Sequence, residues 1–269
     1  MSGWGGRGRW GGRGRMFAVL MLLFLPAPPA LPAFPVLSAQ QPVSRLKGRV
    51  TNERGQPLQD AEVRAEAFFG SAAGTFAGQR TFSTKTNRKG EWSILGIAPG
   101  IWLFEALAPD HMPEVVALPV RLLTPSGPNA GGQLFTWELI LKPARAPEGE
   151  RGQILSEAAS VARQDKAEQV RAILGRVPDD ADAEYLAAAG RIAMVARDQD
   201  LARPLFMRAL QVDPSSYRAA MGVASLFLLQ RDFDSASRAF DATRNRTHDR
   251  DEQKFLSAAI GDLATIKVR

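Results

Sequence analysis

A short helical pattern occurs twice within residues 183–243, and it constrains the fold more than any other feature of the sequence. Ala202 and Phe206 stand one helical turn apart, and Ala236 and Phe240 repeat them 34 residues later. Small residues let two helices approach closely, and the phenylalanine fills the space between them. Because one helix pair alone cannot bury its apolar face, the pattern predicts stacked helix pairs.

A different periodicity precedes the helical pattern. Between residues 45 and 141 apolar and polar residues alternate, as where Val63 and Ala65 share one strand face while Arg64 and Glu66 take the other. Turns rich in Gly and Pro divide this region into six or seven short strands, which favours a β-sandwich. The sequence therefore predicts a multidomain chain, with an N-terminal all-β sandwich and a C-terminal all-α helical repeat. The expected bounds are 44–143 for the sandwich, 144–150 for a linker and 151–269 for the repeat.

Residues 1–39 have the order of a secretory signal peptide. A segment rich in Gly and Arg precedes an apolar run, a proline-rich stretch and small residues that end at Ser38 and Ala39. A retained membrane anchor is the alternative, but five prolines in residues 16–39 would each remove a hydrogen bond in lipid. A start at Met16 would also remove the arginines. We expect an exported protein that is periplasmic, on the cell surface or secreted, and a membrane contact only through an uncleaved leader.

The basic character of the chain lies largely in this leader. The net charge is +6, and the four leader arginines are the only charged residues before Arg45, so their removal leaves 6 − 4 = +2. Binding to nucleic acid is therefore not expected. The chain has no cysteine, which fits a bacterial exported protein that folds without disulfides and excludes thiol nucleophiles and thiolate metal sites.

Residues that commonly perform catalysis are sparse. The two histidines, His111 and His248, are far apart in the sequence and fall in different predicted domains, so neither a zinc cluster nor a Ser-His-Asp relay is indicated. The sequence around each histidine is typical of an exposed turn. No glycine-rich phosphate loop is present either, because the Gly/Ala loop lacks a following Lys-Ser/Thr. The sequence predicts that the chain is not an enzyme and that it uses no cofactor and no metal.

Two segments of the sandwich carry a family resemblance. The matching residues are Gly48-Arg49-Val50-Thr51, Gly55-Gln56-Pro57-Leu58, Asp60-Ala61-Glu62-Val63, Thr86-Asn87-Arg88-Lys89-Gly90-Glu91-Trp92, Leu95 and Ala98-Pro99-Gly100-Ile101-Trp102. From Leu46 to Pro113 this pattern resembles the carboxypeptidase regulatory-like domain, a prealbumin-like sandwich. It departs at Trp102, where such domains commonly have Tyr, and in an inserted loop at Gly70 to Gly78. The resemblance implies a non-catalytic accessory domain that contacts proteins or carbohydrate.

The tryptophans of the sandwich permit two interpretations. Trp92 and Trp102, together with Trp137, could stack on sugar rings if they were exposed. Their positions in apolar runs favour burial instead.

The helical region resembles the tetratricopeptide repeat (TPR). The matching positions are Leu186, Gly190, Ala202, Phe206, Ala209 and Pro214 in the first unit, and Ala224, Phe227, Ala236 and Phe240 in the second. The second unit departs at Thr243 and His248, where Ala and Pro are expected. Residues 151–178 fit a degraded terminal copy, and Asp251 to Val268 predicts a last amphipathic helix.

The TPR resemblance implies a concave groove, formed by the first helix of each pair, that binds a peptide or protein. The matching groove positions are Glu184, Ala187, Arg191, Met194, Arg218, Met221 and Ser225. The Lys/Asn clamp that some members use for carboxylates is missing, because Ala187 and Met221 occupy its places. Met194 and Met221 also fit simple core positions.

Two functions follow as hypotheses. The first is a non-catalytic exported adaptor or scaffold that binds a protein or peptide partner in the TPR-like groove. The alternative is a carbohydrate- or envelope-binding module in which the sandwich binds the ligand. Catalysis is kept only as a residual third class.

Overall fold

The computed structural model describes residues 44–69, 81–97, 100–120, 135–164 and 166–267. The predicted leader, the inserted loop at Gly70 to Gly78 and the Ala98-Pro99 turn lie outside these residues. None of the helices within them has both the length and the apolar character needed to cross a membrane.

The described residues of the first half form seven strands in two sheets. The strands are β1 (Ser44–Val50), β2 (Glu62–Phe69), β3 (Thr81–Lys85), β4 (Glu91–Leu95), β5 (Gly100–Leu107), β6 (Glu114–Val120) and β7 (Phe135–Leu141). One sheet has the order β4-β1-β7 and the other β3-β2-β5-β6. All neighbours are antiparallel except β1 and β7, which are parallel. The edge strand β6 was not predicted from the sequence as a separate element.

Alternation along β2 sets the two faces of the larger sheet. Val63 and Ala65 are fully buried, while Arg64 and Glu66 on the opposite face are half-buried. Strand β5 is buried along its whole length, because the sandwich core covers one face and other parts of the chain cover the second. The ring of Trp102 on β5 lies 5.7 Å from the ring of Phe82, measured between centroids.

The second half is helical. The helices are α1 (Gly149–Ala162), α2 (Ala167–Leu174), α3 (Ala183–Val195), α4 (Gln199–Val212), α5 (Tyr217–Leu229), α6 (Phe233–Arg244) and α7 (Arg250–Lys267). Asp198 caps α4 and Asp232 caps α6, each by accepting a backbone N–H three residues later. Because these caps are 34 residues apart, the internal repetition of the sequence is also present in the local structure.

Phe206 on α4 fills the space between two other helices. It is fully buried, as is Phe240 on α6. A Cβ atom added to Gly190 of α3 would lie 2.7 Å from the Phe206 ring, and one added to Gly222 of α5 would lie 2.4 Å from it. The two glycines thus let α3 and α5 approach the same aromatic ring.

The expected fold class is wrong. The strands and the helices belong to one compact unit with a shared core, rather than to a sandwich and an independent TPR-like module. The predicted linker is bonded to the sandwich, because Met112 N donates to Ala144 O at 2.7 Å and Ala146 N donates to Asp110 O at 3.0 Å. The physical reason is that β6 is an edge strand with buried side chains, and α3, α5 and α7 pack against it.

We predict that Gly222→Ala destabilises the protein by about 1–3 kcal/mol, since the added methyl group overpacks the Phe206 site. Gly261→Ala on α7 is the matched control. Its Cβ would meet nothing within 4 Å, so we expect a gain of about 0.5–1 kcal/mol from helix propensity. Urea unfolding of both variants measures the difference, and equal stability of the two would contradict this packing.

Candidate functional site

The predicted groove residues lie on two neighbouring helices. Glu184, Arg191 and Met194 are on α3, and Arg218, Met221 and Ser225 are on α5. Both helices pack against the edge strand β6. Most of these groove side chains are therefore covered: the exposed fraction is 1% for Arg191, 0% for Ser225, 2% for Met194 and 5% for Met221.

Two groove residues bond to the backbone of β6 or of the residue directly before it. Arg191 Nε donates to the carbonyl oxygen of Pro113 at 3.0 Å, and the Ala117 N–H donates to Ser225 Oγ at 2.9 Å. Pro119 has the same strand orientation as Ala117 and has no N–H to satisfy. Side chains of α3 and α5 thus bond the backbone at two points along this edge of the sheet.

Charged groups surround this contact. Arg218 forms ion pairs with Glu184 at 2.8 Å and with Glu53 of the β1–β2 turn at 3.0 Å, and its Nη2 donates to Lys142 O at 3.1 Å. Glu114 of β6 lies between two arginines, with Oε2 3.8 Å from Arg218 Nε and 4.0 Å from Arg191 Nε. Burial raises the pKa of Glu114, against the opposing effect of both arginines. Charges from the strands and the helices therefore meet in one cluster, in which Arg191 is buried, Glu114 and Arg218 are partly buried, and Glu53 and Glu184 are exposed.

These contacts overturn the adaptor hypothesis. A partner peptide would need the surface that β6 already occupies, and the side chains expected to bind it are hydrogen-bonded within the chain. The function predicted from the sequence, a non-catalytic adaptor that uses an open groove, is therefore wrong. Glu184 alone among the six groove residues is largely exposed.

The tryptophans proposed for sugar stacking are buried. Trp102 has an exposed fraction of 0% and Trp92 of 4%, and both belong to the sandwich core. The side chain of Trp137 lies outside the described residues. Neither Trp92 nor Trp102 presents a ring face to solvent, so the sandwich does not offer the expected stacking surface there.

A cleft opens on the outer face of the larger sheet, where the turn between α3 and α4 approaches it. We call it the charged cleft; it has a volume of about 310 Å³. It is lined by Arg64, Ala65, Glu66, Thr81, Phe82, Ser83, Leu103, Glu105 and Arg197. The strand pairing places Arg64 between Ser83 of β3 and Glu105 of β5, so these three side chains form one row across the sheet.

Arg197 joins the helices to this row. Its Nη1 donates to Glu105 Oε1 at 2.5 Å, and its Nη2 forms a second ion pair with Glu66. The backbone of Arg197 is left-handed, with φ +62°, but Arg231 adopts φ +63° at the equivalent turn between α5 and α6. The turn geometry thus belongs to the internal repetition, and only the position of the guanidinium is particular to the cleft.

Glu105 is the most unusual group of the cleft. Its exposed fraction is 2%, and burial raises its pKa although Arg197 opposes the shift. A buried carboxyl with a raised pKa beside a cavity is typical of binding and catalytic sites. The sequence analysis missed it, although Glu105 is the single charged residue in the apolar run Ile101 to Ala108.

The described residues contain no cluster of three or more His, Asp or Glu side chains that could hold a metal ion. The backbone of His111 forms an isolated antiparallel β-bridge with that of Arg145, and the His111 side-chain Nδ1 lies 2.7 Å from Pro109 O. His248 is exposed in the turn before α7. The two histidines are thus accounted for by local turn structure, and the cleft contains neither.

No protein-family model and no curated protein matches the chain, so the resemblances to the carboxypeptidase regulatory-like domain and to TPR proteins stay predictions. Solved structures that resemble it include 3-chlorocatechol 1,2-dioxygenase from Rhodococcus opacus, with 12% identity and a TM-score of 0.31 over 40% of this chain and 62% of that one. Catechol 1,2-dioxygenase from Pseudomonas arvilla has 13% identity and a TM-score of 0.31, and the match covers 40% of this chain and 54% of that one. The dioxygenase domain of a dioxygenase carbohydrate-binding protein fusion from Streptomyces sp. SirexAA-E has 16% identity and a TM-score of 0.29. This match covers 39% of the present chain and 83% of that one. The chain thus spans less than two thirds of the first two relatives.

The expectation that the chain is not an enzyme is also corrected. The charged cleft contains a buried acid–base group, Glu105, that was not among the residues predicted from the sequence. Catalysis is therefore not excluded by a lack of suitable residues. TM-scores near 0.3 carry no argument about a shared reaction, and we assign no dioxygenase chemistry to this chain.

We predict that Ser225→Ala costs about 1–3 kcal/mol, because the buried N–H of Ala117 loses its acceptor. Ser160→Ala, at an exposed position of α1, is the matched control and is expected to change stability by no more than about 0.5 kcal/mol. Chemical denaturation measures both. A Ser225→Ala variant as stable as the control would contradict the pairing of β6 with α5.

We also predict a pH-dependent contribution from Glu105. Its pKa in the folded chain is raised above 4.5, so the folded state holds the proton more tightly than the unfolded state. The resulting stabilisation is complete below the ordinary carboxyl pKa and is lost as the pH rises through the raised value. The free energy of unfolding of the unsubstituted protein, minus that of Glu105→Gln, should therefore fall across this range. A difference that increases with pH would show that Arg197 outweighs burial.

Proposed function

We propose that this chain binds a small polar molecule in the charged cleft. The observation that carries the proposal is a buried carboxyl, Glu105, which shares one guanidinium with Glu66 at the wall of a cavity of about 310 Å³. That volume is at the lower end of the range for small-molecule sites. Glu105 is buried and Glu66 is half-buried, and burying a carboxylate costs free energy that an ion pair offsets only in part.

The charges of the cleft favour a net-neutral ligand with both signs of charge. Two arginines and two glutamates line it, so the formal charges of the lining cancel. Beside the lining, Glu62 Oε1 accepts from Arg64 Nε at 2.7 Å and from Ser83 Oγ at 3.0 Å, so a ligand would share these donors with Glu62. A simple anion or cation would meet one repulsive group for each attractive one. A zwitterion of amino-acid size can direct its carboxylate to Arg64 and Arg197 and its ammonium group to Glu66. Ser83 and Thr81 add hydroxyl groups, and Leu103 adds an apolar surface.

A second candidate function is proton transfer to or from the bound molecule. It is favoured by the raised pKa of Glu105, which moves this carboxyl toward the range in which an acid–base group works best. The binding proposal does not depend on it. NMR spectra of each bound compound, recorded over time, would detect conversion, and Glu105→Gln should then bind the compound without converting it.

We also propose that the protein acts outside the cytoplasm. The support is the order of charged, apolar and small residues within residues 1–39. N-terminal sequencing of the protein recovered from its native cells tests this. A mature N-terminus at or near residue 40 is expected, and an intact leader on protein recovered from the cytoplasm would contradict it.

The binding test is a titration of the common amino acids and of neutral polyols, followed by saturation-transfer NMR and calorimetry. We predict that a zwitterion binds, that Arg64→Gln weakens binding about tenfold or more, and that Ser83→Trp abolishes it by filling the cleft. A charged hydrogen bond contributes about 1.5–3 kcal/mol, which corresponds to such a change.

Two exposed positions, Ser160 on α1 and Arg163 directly after that helix, give matched controls for these variants. Arg163→Gln and Ser160→Trp repeat the same chemical changes far from the cleft in sequence and should leave binding unchanged. Binding of a polyol but no zwitterion would contradict the charge argument. Equal affinity of Ser83→Trp and of the unsubstituted protein would overturn the assignment of the cleft.

A further inference from the structure

A second cavity, unrelated to the charged cleft, lies between the end of α6 and the beginning of α7. We call it the basic hollow; its volume is about 550 Å³. It is lined by Arg244, Asn245, Arg250, Gln253, Lys254 and Ser257. All six side chains are polar, and three of them are cationic.

The cations of the hollow are poorly compensated. Arg244 forms an ion pair with Asp241, but among the described residues neither Arg250 nor Lys254 has an acidic partner. Asp249 and Glu252, two acids at the beginning of α7, lie near Lys142 instead. Its Nζ lies 3.5 Å from Asp249 and 3.9 Å from Glu252.

The spacing of Arg250 and Lys254 adds to this excess of positive charge. Residues four apart on a helix lie on the same face, and like charges in that arrangement destabilise the helix. Ser257 is on the next turn of the same face. The basic hollow thus places Arg250 and Lys254 on one surface of the helix, next to neutral side chains with hydrogen-bonding groups.

The chemistry of these side chains fits an oxyanion. Guanidinium groups donate two parallel hydrogen bonds to phosphate oxygens, and an ammonium group supplies a point charge. The backbone amides of α7 are not needed, because Glu252 N donates to the Asp249 side chain at 3.3 Å and Gln253 N donates to Asp249 O at 3.0 Å. An anion in the hollow would therefore be held by side chains, with Asn245 and Ser257 as neutral neighbours.

We propose that the basic hollow binds a phosphate group, either free or carried by a lipid headgroup. The competing explanation is that α7 is only a polar cap on the last helix of the stack. A cap needs polar residues, but it does not need a cavity in which two cations have no acidic partner among the described side chains. The two explanations predict different responses to phosphate.

The test compares inorganic phosphate with chloride at equal ionic strength and measures thermal unfolding and isothermal titration of the full chain. Phosphate should raise the melting temperature of the unsubstituted protein. The double variant Arg250→Gln, Lys254→Gln should bind phosphate at least tenfold more weakly. Arg88→Gln, an exposed charge change in the turn between β3 and β4, is the control and should behave like the unsubstituted protein.

Vesicles separate the two sources of phosphate. Sedimentation with phosphatidylglycerol vesicles but not with phosphatidylcholine vesicles, lost in the double variant, would assign the hollow to an anionic lipid. Phosphate binding without sedimentation would assign it to a soluble phosphate compound. No difference between phosphate and chloride, or an equal response of the double variant, would overturn the proposal and leave the polar cap as the explanation.

Discussion

The structure depends on how one sheet edge is satisfied. An edge strand presents N–H and C=O groups that need partners or water, and most of β6 is buried where it lies against α3, α5 and α7. Ser225 accepts from the Ala117 N–H, Arg191 donates to Pro113 O, and Pro119 removes a donor at the third site. The strands and the helices therefore stabilise each other, since either half alone would expose apolar surface and unpaired backbone groups.

This arrangement explains why a surface suited to binding a peptide is closed. The features that suggest a peptide-binding groove, an arginine and a serine at 34-residue spacing on neighbouring helices, are the features that hold an extended strand of the same chain. The polar side chains that line cavities lie outside the contact between β6 and the helices. Arg197, in the turn between α3 and α4, lines the charged cleft, and residues of α7 line the basic hollow.

Local patterns in the sequence were sufficient to predict several parts of this fold. The burial of Phe206 and Phe240, the helix pairs that contain them and the fully buried β5 follow from periodicities that span only a few turns or strands. The role of β6 could not be predicted, because Ala117 and Ser225 are 108 residues apart and neither carries a local signal of their contact. The cleft was missed for the same reason, although a single acid, Glu105, in an apolar strand was a usable hint.

The most direct test of this account is hydrogen exchange along the two edges of the four-stranded sheet. β3 and β6 are both edge strands of that sheet, but β3 alternates between exposed and half-buried residues whereas β6 lies against α3, α5 and α7. The account predicts that amides of β6, that of Ala117 above all, are protected nearly as strongly as those of central β5, while the outward amides of β3 exchange quickly. Exchange of β6 as fast as that of β3 would show that the helices do not cover this edge, and the single-unit description would fail.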